Sequence, residues 1–487
     1  MPSLYPLLIP LAPLIAALFT ALPYRYLIDK NYRIGWSIIC SGFLASLLLL
    51  WQMIQNPEPI NFVLFETAWE SLPLVELSID RLSAVMMVVI SGFGTLLYHY
   101  SARYLQQDSG QSRFQTLLAL AASALLFMVS STDFVTIFIF WQLLSWFLYL
   151  LFHNYSHSPT VQGSARTFIL LRAGDLAFLA AIVLAYHLYG TLNFAEIFEL
   201  AAQDQTHFAF IGTGLEISGT TLVTLLIFLG VISKSAQFPL HIWLPDSLYA
   251  PTPVSALLHA GIINSGGFLL TRLAPLYVLS STTLNFILVI GLLTMILGKS
   301  MMLVKNNIKK ILVYSTVGQM GYMIMECGIG AFPLAVFHLI AHGLFKAYLF
   351  LNCGNIISEA RSTPKQPPSS SNQPSSLTLS GWIWAFLLSF LIPLWIMIWV
   401  HDLLGISFLD SHGLFILFLF SWVTSSQAML TLFRLQRTFF AKTAMLVGIA
   451  FVAILYFLAA EAFTHFLIPD SATVTAYFKA AELSEAL

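Results

Sequence analysis

The sequence predicts an all-α polytopic membrane protein with about fourteen transmembrane helices. Of its 487 residues, 58% are hydrophobic and only 9% are charged, whereas a soluble domain carries about 25% charged residues. The mean hydropathy is +0.83. Because a spanning helix needs roughly 20 mostly apolar residues, the chain has room for about fourteen. This composition excludes a single soluble domain and a disordered chain.

Apolar segments follow one another along the chain, and each accounts for one predicted helix. No basic residue precedes the first segment, so we interpret it as a retained span rather than as a secretory signal. The predicted spans are residues 4–22, 34–54, 79–100, 114–131, 133–152, 164–188, 219–238, 254–277, 282–304, 308–326, 331–357, 380–400, 412–433 and 442–463.

The distribution of basic residues predicts the orientation of these spans. If the N-terminus lies outside, the loops after odd-numbered spans contain most of the 21 Lys and Arg residues. Cytoplasmic loops have this bias. We therefore expect both termini to lie outside the cytoplasm.

The charge balance and the cysteines exclude several partners and cofactors. The formal net charge is −1, which offers no basic surface for nucleic acid. Cys40, Cys327 and Cys353 lie far apart and form neither a metal-binding spacing nor a disulfide framework. We expect no metal and no cofactor in this chain, and membrane lipid around it.

The functional candidates are ionisable residues within or beside the spans, because charge inside a membrane is costly and usually serves function. Lys234 lies in an apolar segment that meets Pro239, where a broken helix is expected. Lys234 and His259, in the next span, can both exchange protons. The alternatives are a snorkelling anchor for Lys234 and a structural hydrogen bond for His259. His241 and Asp246 lie between these spans, as modulators or as a loop ion pair.

A second group of ionisable residues shares one helical face. His338, His342 and Lys346 are spaced i, i+4 and i+8, so they follow one line along a helix. The HxxxH spacing also suits a metal pair, but no nearby carboxylate or cysteine completes such a site in the sequence. We interpret the group as a line of proton-exchanging residues.

A third group follows Pro393, which is expected to break its span as Pro239 does. His401 and Asp402 come next. These two residues are either a terminal relay or ordinary residues at the membrane interface.

The fifth span lacks charge after its first residue, and Gln142 is its most polar deep residue. In the sixth span, Arg172 and Asp175 are spaced i and i+3, so they can pair on one face. A structural ion pair is the preferred interpretation, with a part in the relay as the alternative.

Several sequence blocks carry a family resemblance. Within residues 70–360 the blocks are, in chain order, LSIDRLSAVMMVV, LRAGDLAFL, SKSAQFPLHIWLPDSLYAPTPVSALLHA, KKILVYSTVGQMGYM and FHLIAHGLFKAYLFLNCG. They resemble the antiporter-like subunits of respiratory complex I and of Mrp cation antiporters. The resemblance implies a buried chain of groups that moves protons or sodium ions. The motif positions of that chain are occupied by Lys234, His259, His338, His342 and Lys346.

The resemblance also implies an architecture: a fourteen-helix core with two inverted five-helix repeats, each containing a broken helix. The expected regions are N-terminal helices (1–110), a first repeat (111–278), a second repeat (279–440) with a flexible cytoplasmic linker (358–378), and a last helix with its tail (441–487).

The sequence departs from this family at two positions. Gln142 stands where the family has a glutamate that pairs with the lysine matched by Lys234. Because Gln142 cannot ionise, Lys234 must find another partner or remain neutral for longer, and whether one half-channel is blocked stays open. His401 stands where the family usually has a lysine.

Short, divergent members of the family form the membrane subunit of DAB-type two-component inorganic-carbon transporters. The chain is similar to that subunit in its length, in its altered relay and in ending soon after the last span. The resemblance implies a bacterial inner-membrane transporter that accumulates bicarbonate. It also implies a large cytoplasmic, zinc-containing, carbonic-anhydrase-like partner (DabA type), which would hold the zinc. The alternatives are a pumping subunit of an NADH dehydrogenase-like complex, an Mrp-type antiporter subunit, and a structural anchor.

Overall fold

A computed structural model shows that most of the described residues form helices. It describes residues 5–21, 28–65, 75–106, 108, 110–152, 158–204, 206–209, 216–362, 379–404, 419, 422–423, 425–426 and 439–481. The chain forms two compact units. The first consists of Met1–Gly328 with Ala335–Cys353, and the second of Ile329–Leu334 with Gly354–Leu487.

Helices of the first unit occupy the apolar segments. Some begin at a polar cap: Asp80 accepts a hydrogen bond from the Ser83 backbone at the start of α3, which satisfies a donor that the helix leaves free. The bounds are α1 Leu8–Ala21, α2 Ile28–Gln55, α3 Arg81–Tyr104, α4 Gln111–Ser130, α5 Phe134–Phe152, α6 Ser158–Tyr189, α7 Phe194–Ala201, α8 Gly219–Lys234, α9 Thr252–Ala260, α10 Ser265–Arg272, α11 Ala274–Tyr277, α12 Ser281–Leu303, α13 Ile308–Gly328 and α14 Phe332–Ser362.

Among the described residues, the second unit contains the end of α14 and the helices α15 Leu379–Leu404, α16 Phe439–Leu467 and α17 Ser471–Ala480. The expectation that Pro393 breaks its span is wrong, because α15 continues through it. One proline removes one backbone hydrogen bond, a loss that membrane helices tolerate. The predicted linker 358–378 begins with a helical turn up to Ser362, and its remainder lies outside the described residues.

The all-α polytopic architecture is confirmed. Eight helices of the described chain are long and apolar enough to cross a membrane. These are Tyr32–Gln55, Arg81–Tyr104, Gln111–Ser130, Phe134–Phe152, Val161–Tyr189, Thr252–Arg272, Ser281–Leu303 and Phe332–Asn352. Shorter apolar helices are Tyr5–Ala21, Gly219–Lys234, Phe386–Trp399 and Ile454–Leu467. The number fourteen stays a prediction, because most of residues 412–433 lie outside the described chain.

Two short hairpins, which the sequence did not predict, connect helices of the first unit. Strand β1 (Ile60–Phe65) pairs antiparallel with β2 (Val75–Ile79), and β3 (His207–Ala209) with β4 (Glu216–Ser218). The strands are too short to cross a bilayer, since a spanning strand needs about 9–11 residues.

The broken helix expected near Pro239 is present. Helix α8 ends at Lys234, and a 3-10 helix, Leu240–Tyr249, leads to α9. A second interruption, which was not predicted, follows His259: α9 ends at Ala260 and a 3-10 turn, Ile262–Asn264, precedes α10. Both candidate residues therefore lie where regular helix stops.

Small residues let α12 and α13 pack backbone against backbone. A Cβ atom added to Gly298 would lie 2.3 Å from the Gly318 nitrogen, and one added to Gly291 would lie 2.5 Å from the Met325 nitrogen. Membrane helices use glycine in this way to approach closely. The contact fixes the position of α13, which carries part of the candidate site.

An ion pair joins α3 to α10 at the ends of these helices. The Arg272 guanidinium donates to both Asp80 carboxylate oxygens (2.6 and 3.2 Å), to Ser83 Oγ (2.6 Å) and to the Val129 carbonyl oxygen (3.0 Å). The guanidinium favours the ionised carboxylate and holds the pKa of Asp80 below its usual range, against the effect of burial.

Replacement of Asp80 by alanine should therefore destabilise the first unit. We expect Asp80→Ala to lower the free energy of unfolding by about 1–2 kcal/mol, since it removes a helix cap and a charged partner of Arg272. Thermal unfolding of the purified protein in detergent measures this, with the exposed Glu199→Ala as control. Equal melting temperatures of the two variants would contradict the prediction.

Candidate ion-translocation site

Lys234 lies in the interior of the first unit, and its side chain is completely buried. Its Nζ donates to the Trp141 carbonyl oxygen (2.8 Å) and to Ser145 Oγ (2.5 Å), both on α5. The same atom lies 4.6 Å from the centroid of a Trp141 ring, where a cation is attracted. These partners are neutral, so they solvate the ammonium group without cancelling its charge.

A carboxylate lies on the other side of Trp141. Asp175 Oδ1 accepts a hydrogen bond of 2.7 Å from Trp141 Nε1. Asp175 is itself buried, so water screens little of the electrostatic interaction between its charge and neighbouring groups. Its field reaches Lys234. Trp141 thus lies between a negative and a positive group, and touches both.

The side chain of Gln142 binds Arg172. Arg172 Nη1 donates to Gln142 Oε1, and Arg172 Nη2 lies 2.7 Å from Asp175 Oδ2. The structure therefore contains the Arg172–Asp175 pair expected from their spacing. The neutral side chain of Gln142 therefore orients Arg172. The negative charge of this cluster comes from Asp175 on α6.

Glycine allows α6 and α8 to bring this cluster together. A Cβ atom on Gly174 would lie 2.4 Å from Ser233 Cβ, and one on Gly230 would lie 2.9 Å from Phe178 Cβ. Both positions therefore require glycine for the observed approach. Gly174 and Ser233 are the immediate neighbours of Asp175 and Lys234, so this contact sets the distance between the two charges.

His259 lies at the end of α9 and is completely buried. Its ring stacks on Phe350 of α14, with 4.4 Å between centroids. Neither ring nitrogen has a hydrogen-bond partner within the described part of the chain. His259 therefore connects the α8–α9 region to α14 through packing, and its role in proton exchange stays a prediction.

Lys346 and His338 of the line on α14 contact α13, whereas the spacing predicted only that the residues of this line share one helical face. Lys346 Nζ donates to Ser315 Oγ (2.9 Å) and to the Leu312 carbonyl oxygen (3.2 Å). The rings of His338 and His342 are 6.1 Å apart. Lys346, like Lys234, is buried and has neutral partners.

A carboxylate absent from the sequence prediction lies beside this line. Glu326 Oε2 is 3.0 Å from His338 Nδ1, which corrects the expectation that no carboxylate lies near the histidines. Lys299 was also not identified from the sequence. Its side chain packs against Gly318, and its charge acts on Lys346 and His342. Both Glu326 and Lys299 could have been identified from the sequence, because each is an ionisable residue inside a predicted span.

His241 and Asp246 lie outside the spans and do not pair with each other in the structure. Asp246 instead lies 3.9 Å from Arg166, whose charge partly offsets the burial that raises the pKa of Asp246. Burial lowers the pKa of His241. A role for either residue in ion transfer stays a prediction.

His401 and Asp402 lie in the last turn of α15, in the second unit. Asp402 is exposed, and the side chain of His401 lies outside the described residues. Their role as a terminal relay stays a prediction.

A metal site would need several ligands in one place. Across the ranges described above, no three His, Cys, Asp or Glu side chains are grouped closely enough to hold an ion. His338 instead uses both ring nitrogens for contacts with Glu326 and Gln319.

Comparison with known sequences places the chain among membrane subunits. Residues 131–372 match the family described as NADH:quinone oxidoreductase/Mrp antiporter, TM, and residues 74–115 match the N-terminal region of complex I chain 5. A similar protein is the probable inorganic carbon transporter subunit DabB1 of Halothiobacillus neapolitanus, with 37% identity over 98% of this chain and 85% of that protein.

The chloroplast NAD(P)H-quinone oxidoreductase subunit 5 of Ceratophyllum demersum is 35% identical over 72% of this chain, which covers 48% of that protein. Solved structures share the fold. A chain of the Mrp complex from Dietzia sp. matches with a TM-score of 0.61 at 24% identity, over 97% of this chain and 49% of that one. A chain of an archaeal membrane-bound sulfane sulfur reductase gives 0.64 at 18% identity, over 98% of each.

The contact between α6 and α8 can be tested with one methyl group. Gly174→Ala should push α6 away from α8, destabilise the protein by about 1–3 kcal/mol, and weaken the contacts of Trp141 with Asp175 and Lys234. Thermal unfolding and ion flux in proteoliposomes measure the two effects. Gly94→Ala is the matched control, since its Cβ would meet Ala122 at an ordinary 3.5 Å. Similar behaviour of both variants would contradict this assignment.

The charge of Asp175 can be removed without changing its shape. Asp175→Asn leaves Arg172 and Lys234 without their carboxylate, so we expect ion flux to fall about tenfold or more, which corresponds to about 1.4 kcal/mol. Asp470→Asn is the control, because asparagine caps a helix as well as aspartate does and Asp470 is an exposed cap. Flux at the wild-type level in Asp175→Asn would show that the carboxylate is dispensable.

Proposed function

The chain belongs to the NADH:quinone oxidoreductase/Mrp antiporter family of membrane subunits, and on this premise we propose that it conducts protons or sodium ions to energise inorganic-carbon uptake by a bound partner. Cation translocation is the common activity of the family. The finer assignment, to carbon transport, rests on similarity to one named relative over 98% of the chain.

The observation that carries the translocation mechanism is the environment of Lys234. This lysine is completely buried and its hydrogen-bond partners are a carbonyl and a hydroxyl oxygen. Such a site can hold the lysine in either protonation state, because no carboxylate in contact locks the charge. Lys346 has the same kind of partners. We assign the two lysines as central carriers and His259, His338 and His342 as intermediates between and beside them.

The proposed partner is a large cytoplasmic subunit of DabA type that resembles carbonic anhydrase and holds zinc. In this scheme the partner hydrates CO2, and the ion gradient makes the reaction unidirectional, so bicarbonate accumulates. The membrane subunit needs no cofactor of its own. Its task is to couple ion movement to the partner.

We also propose the location and orientation of the chain. It resides in the cytoplasmic membrane of a bacterium with both termini outside. The support is the concentration of Lys and Arg in loops that this orientation places in the cytoplasm.

A second candidate is a pumping subunit of an electron-transfer complex or an Mrp-type antiporter. The chloroplast relatives and the Mrp structure favour it. The chain, however, spans about half the length of those proteins, 48% and 49% in the two cases. It spans 85% of the inorganic-carbon transporter subunit, which is why we prefer carbon transport. A structural anchor with a decayed relay is a third candidate.

The coupling role of Lys234 predicts loss of carbon uptake in a simple variant. When chain and partner are co-expressed in cells lacking carbonic anhydrase, the wild type should restore growth in air. Lys234→Ala should not, because the buried carrier is gone. Lys479→Ala removes an exposed lysine and should still restore growth. Rescue by Lys234→Ala at normal expression would refute the coupling role.

Purification and an ion-flux assay together distinguish the three candidates. Co-elution with one large zinc protein supports the proposal, whereas co-elution with flavin or iron–sulfur subunits supports the electron-transfer candidate. An anchor would show no partner-dependent ion flux in proteoliposomes. Varying the proton and sodium gradients separately in that assay identifies the coupling ion.

A further inference from the structure

Glu326 is the one acidic residue between Ser281 and Asn352, a stretch that contains α12, α13 and the first part of α14. Its side chain lies in the protein interior, near the end of α13, and is 4% exposed. An isolated carboxylate there would be costly, so it needs a cationic partner or a proton. The assigned carriers on α14 do not require a carboxylate at this position.

The partner of Glu326 is His338. Glu326 Oε2 lies 3.0 Å from His338 Nδ1, and Gln319 Oε1 lies 2.9 Å from His338 Nε2. With both oxygens acting as acceptors, both ring nitrogens must donate, so this arrangement suits a protonated imidazole next to a carboxylate.

Gln319 allows the same site to exist with one proton fewer. An amide group offers an oxygen acceptor on one side and an NH2 donor on the other. If His338 loses the proton on Nε2, rotation of the Gln319 amide presents its NH2 to that nitrogen. The hydrogen bond is kept in both states. The site can therefore bind and release a proton without leaving a buried polar group unpaired.

The surrounding groups connect this site to the carriers. His338 and His342 are neighbours on α14, and Lys346 follows one turn later. Tyr322 and Cys327 of α13 lie beside the pair, and Lys299 of α12 acts on His342 and Lys346. Lys299, Lys346 and the neighbouring histidines bring positive charge to this region. Glu326 supplies the opposing negative charge.

We propose that Glu326 and His338 form a second proton-binding site, at the Glu326 end of the α14 line. A proton arriving from His342 binds His338 Nε2, and the Nδ1 proton is then shared with Glu326 Oε2, so the pair gains one proton and one unit of charge. Release of that proton restores the starting state. The role of the site in transport rests on the proposed function, whereas proton binding by the pair does not.

Infrared difference spectroscopy tests proton binding directly. The full-length chain in lipid bilayers is acidified, and the stretching bands of its carboxylate and protonated carboxyl groups are recorded. We expect the wild type and Glu199→Gln, an exposed control, to share a band that Glu326→Gln lacks and that Glu326→Asp shifts. If Glu326→Gln retains every band, the site is refuted. If Glu326→Gln does not fold, an unshifted spectrum of Glu326→Asp refutes it.

Proton flux in proteoliposomes with the partner tests the transport role. We expect Glu326→Gln to reduce flux about tenfold, the effect of about 1.4 kcal/mol, and Glu326→Asp to retain more than the amide does. Wild-type flux in Glu326→Gln would overturn the transport role. If the wild type itself shows no flux but the infrared band depends on Glu326, the proposed function fails and the proton-binding site stands.

Discussion

The buried ammonium group of Lys234 imposes the constraint on which the site depends. Removing a charge from water costs several kcal/mol even after the protein relaxes. The first unit meets this cost with a carbonyl oxygen, a hydroxyl oxygen and an indole ring, all from α5. These neutral groups stabilise the cation but leave it free to lose its proton. A carboxylate in direct contact would have fixed the charge.

Helix packing follows from this requirement. The negative charge of Asp175 reaches Lys234 only because α5, α6 and α8 converge on Trp141. Gly174 and Gly230 permit that convergence, since side chains there would hold the helices apart. Glycine contacts between α12 and α13 have a similar effect in the other half of the site, where α13 supplies the groups that bind Lys346 and His338. Close backbone packing and buried charge are therefore parts of one arrangement.

Much of the candidate site could be anticipated from individual residues. Lys234, His259 and Lys346 stand out because charge or imidazole in an apolar span is rare, and the line on α14 follows from its spacing. Glu326 has the same signal but was overlooked, because its histidine partner is on another helix. The break at Pro239 was foreseeable from proline chemistry. The continuity of α15 through Pro393 was not, since the same residue permits either outcome and its neighbours decide.

The sequence by itself determined the all-helical membrane architecture, the family and the face of α14 that carries ionisable groups, because hydrophobicity and helical periodicity are local properties of the chain. Only the tertiary structure decided which charges meet. It assigned Gln142 to Arg172 and Asp175 to Trp141, and it placed Glu326 against His338. The physical reason is that electrostatic energy depends on distance and burial, and helices far apart in the sequence set both.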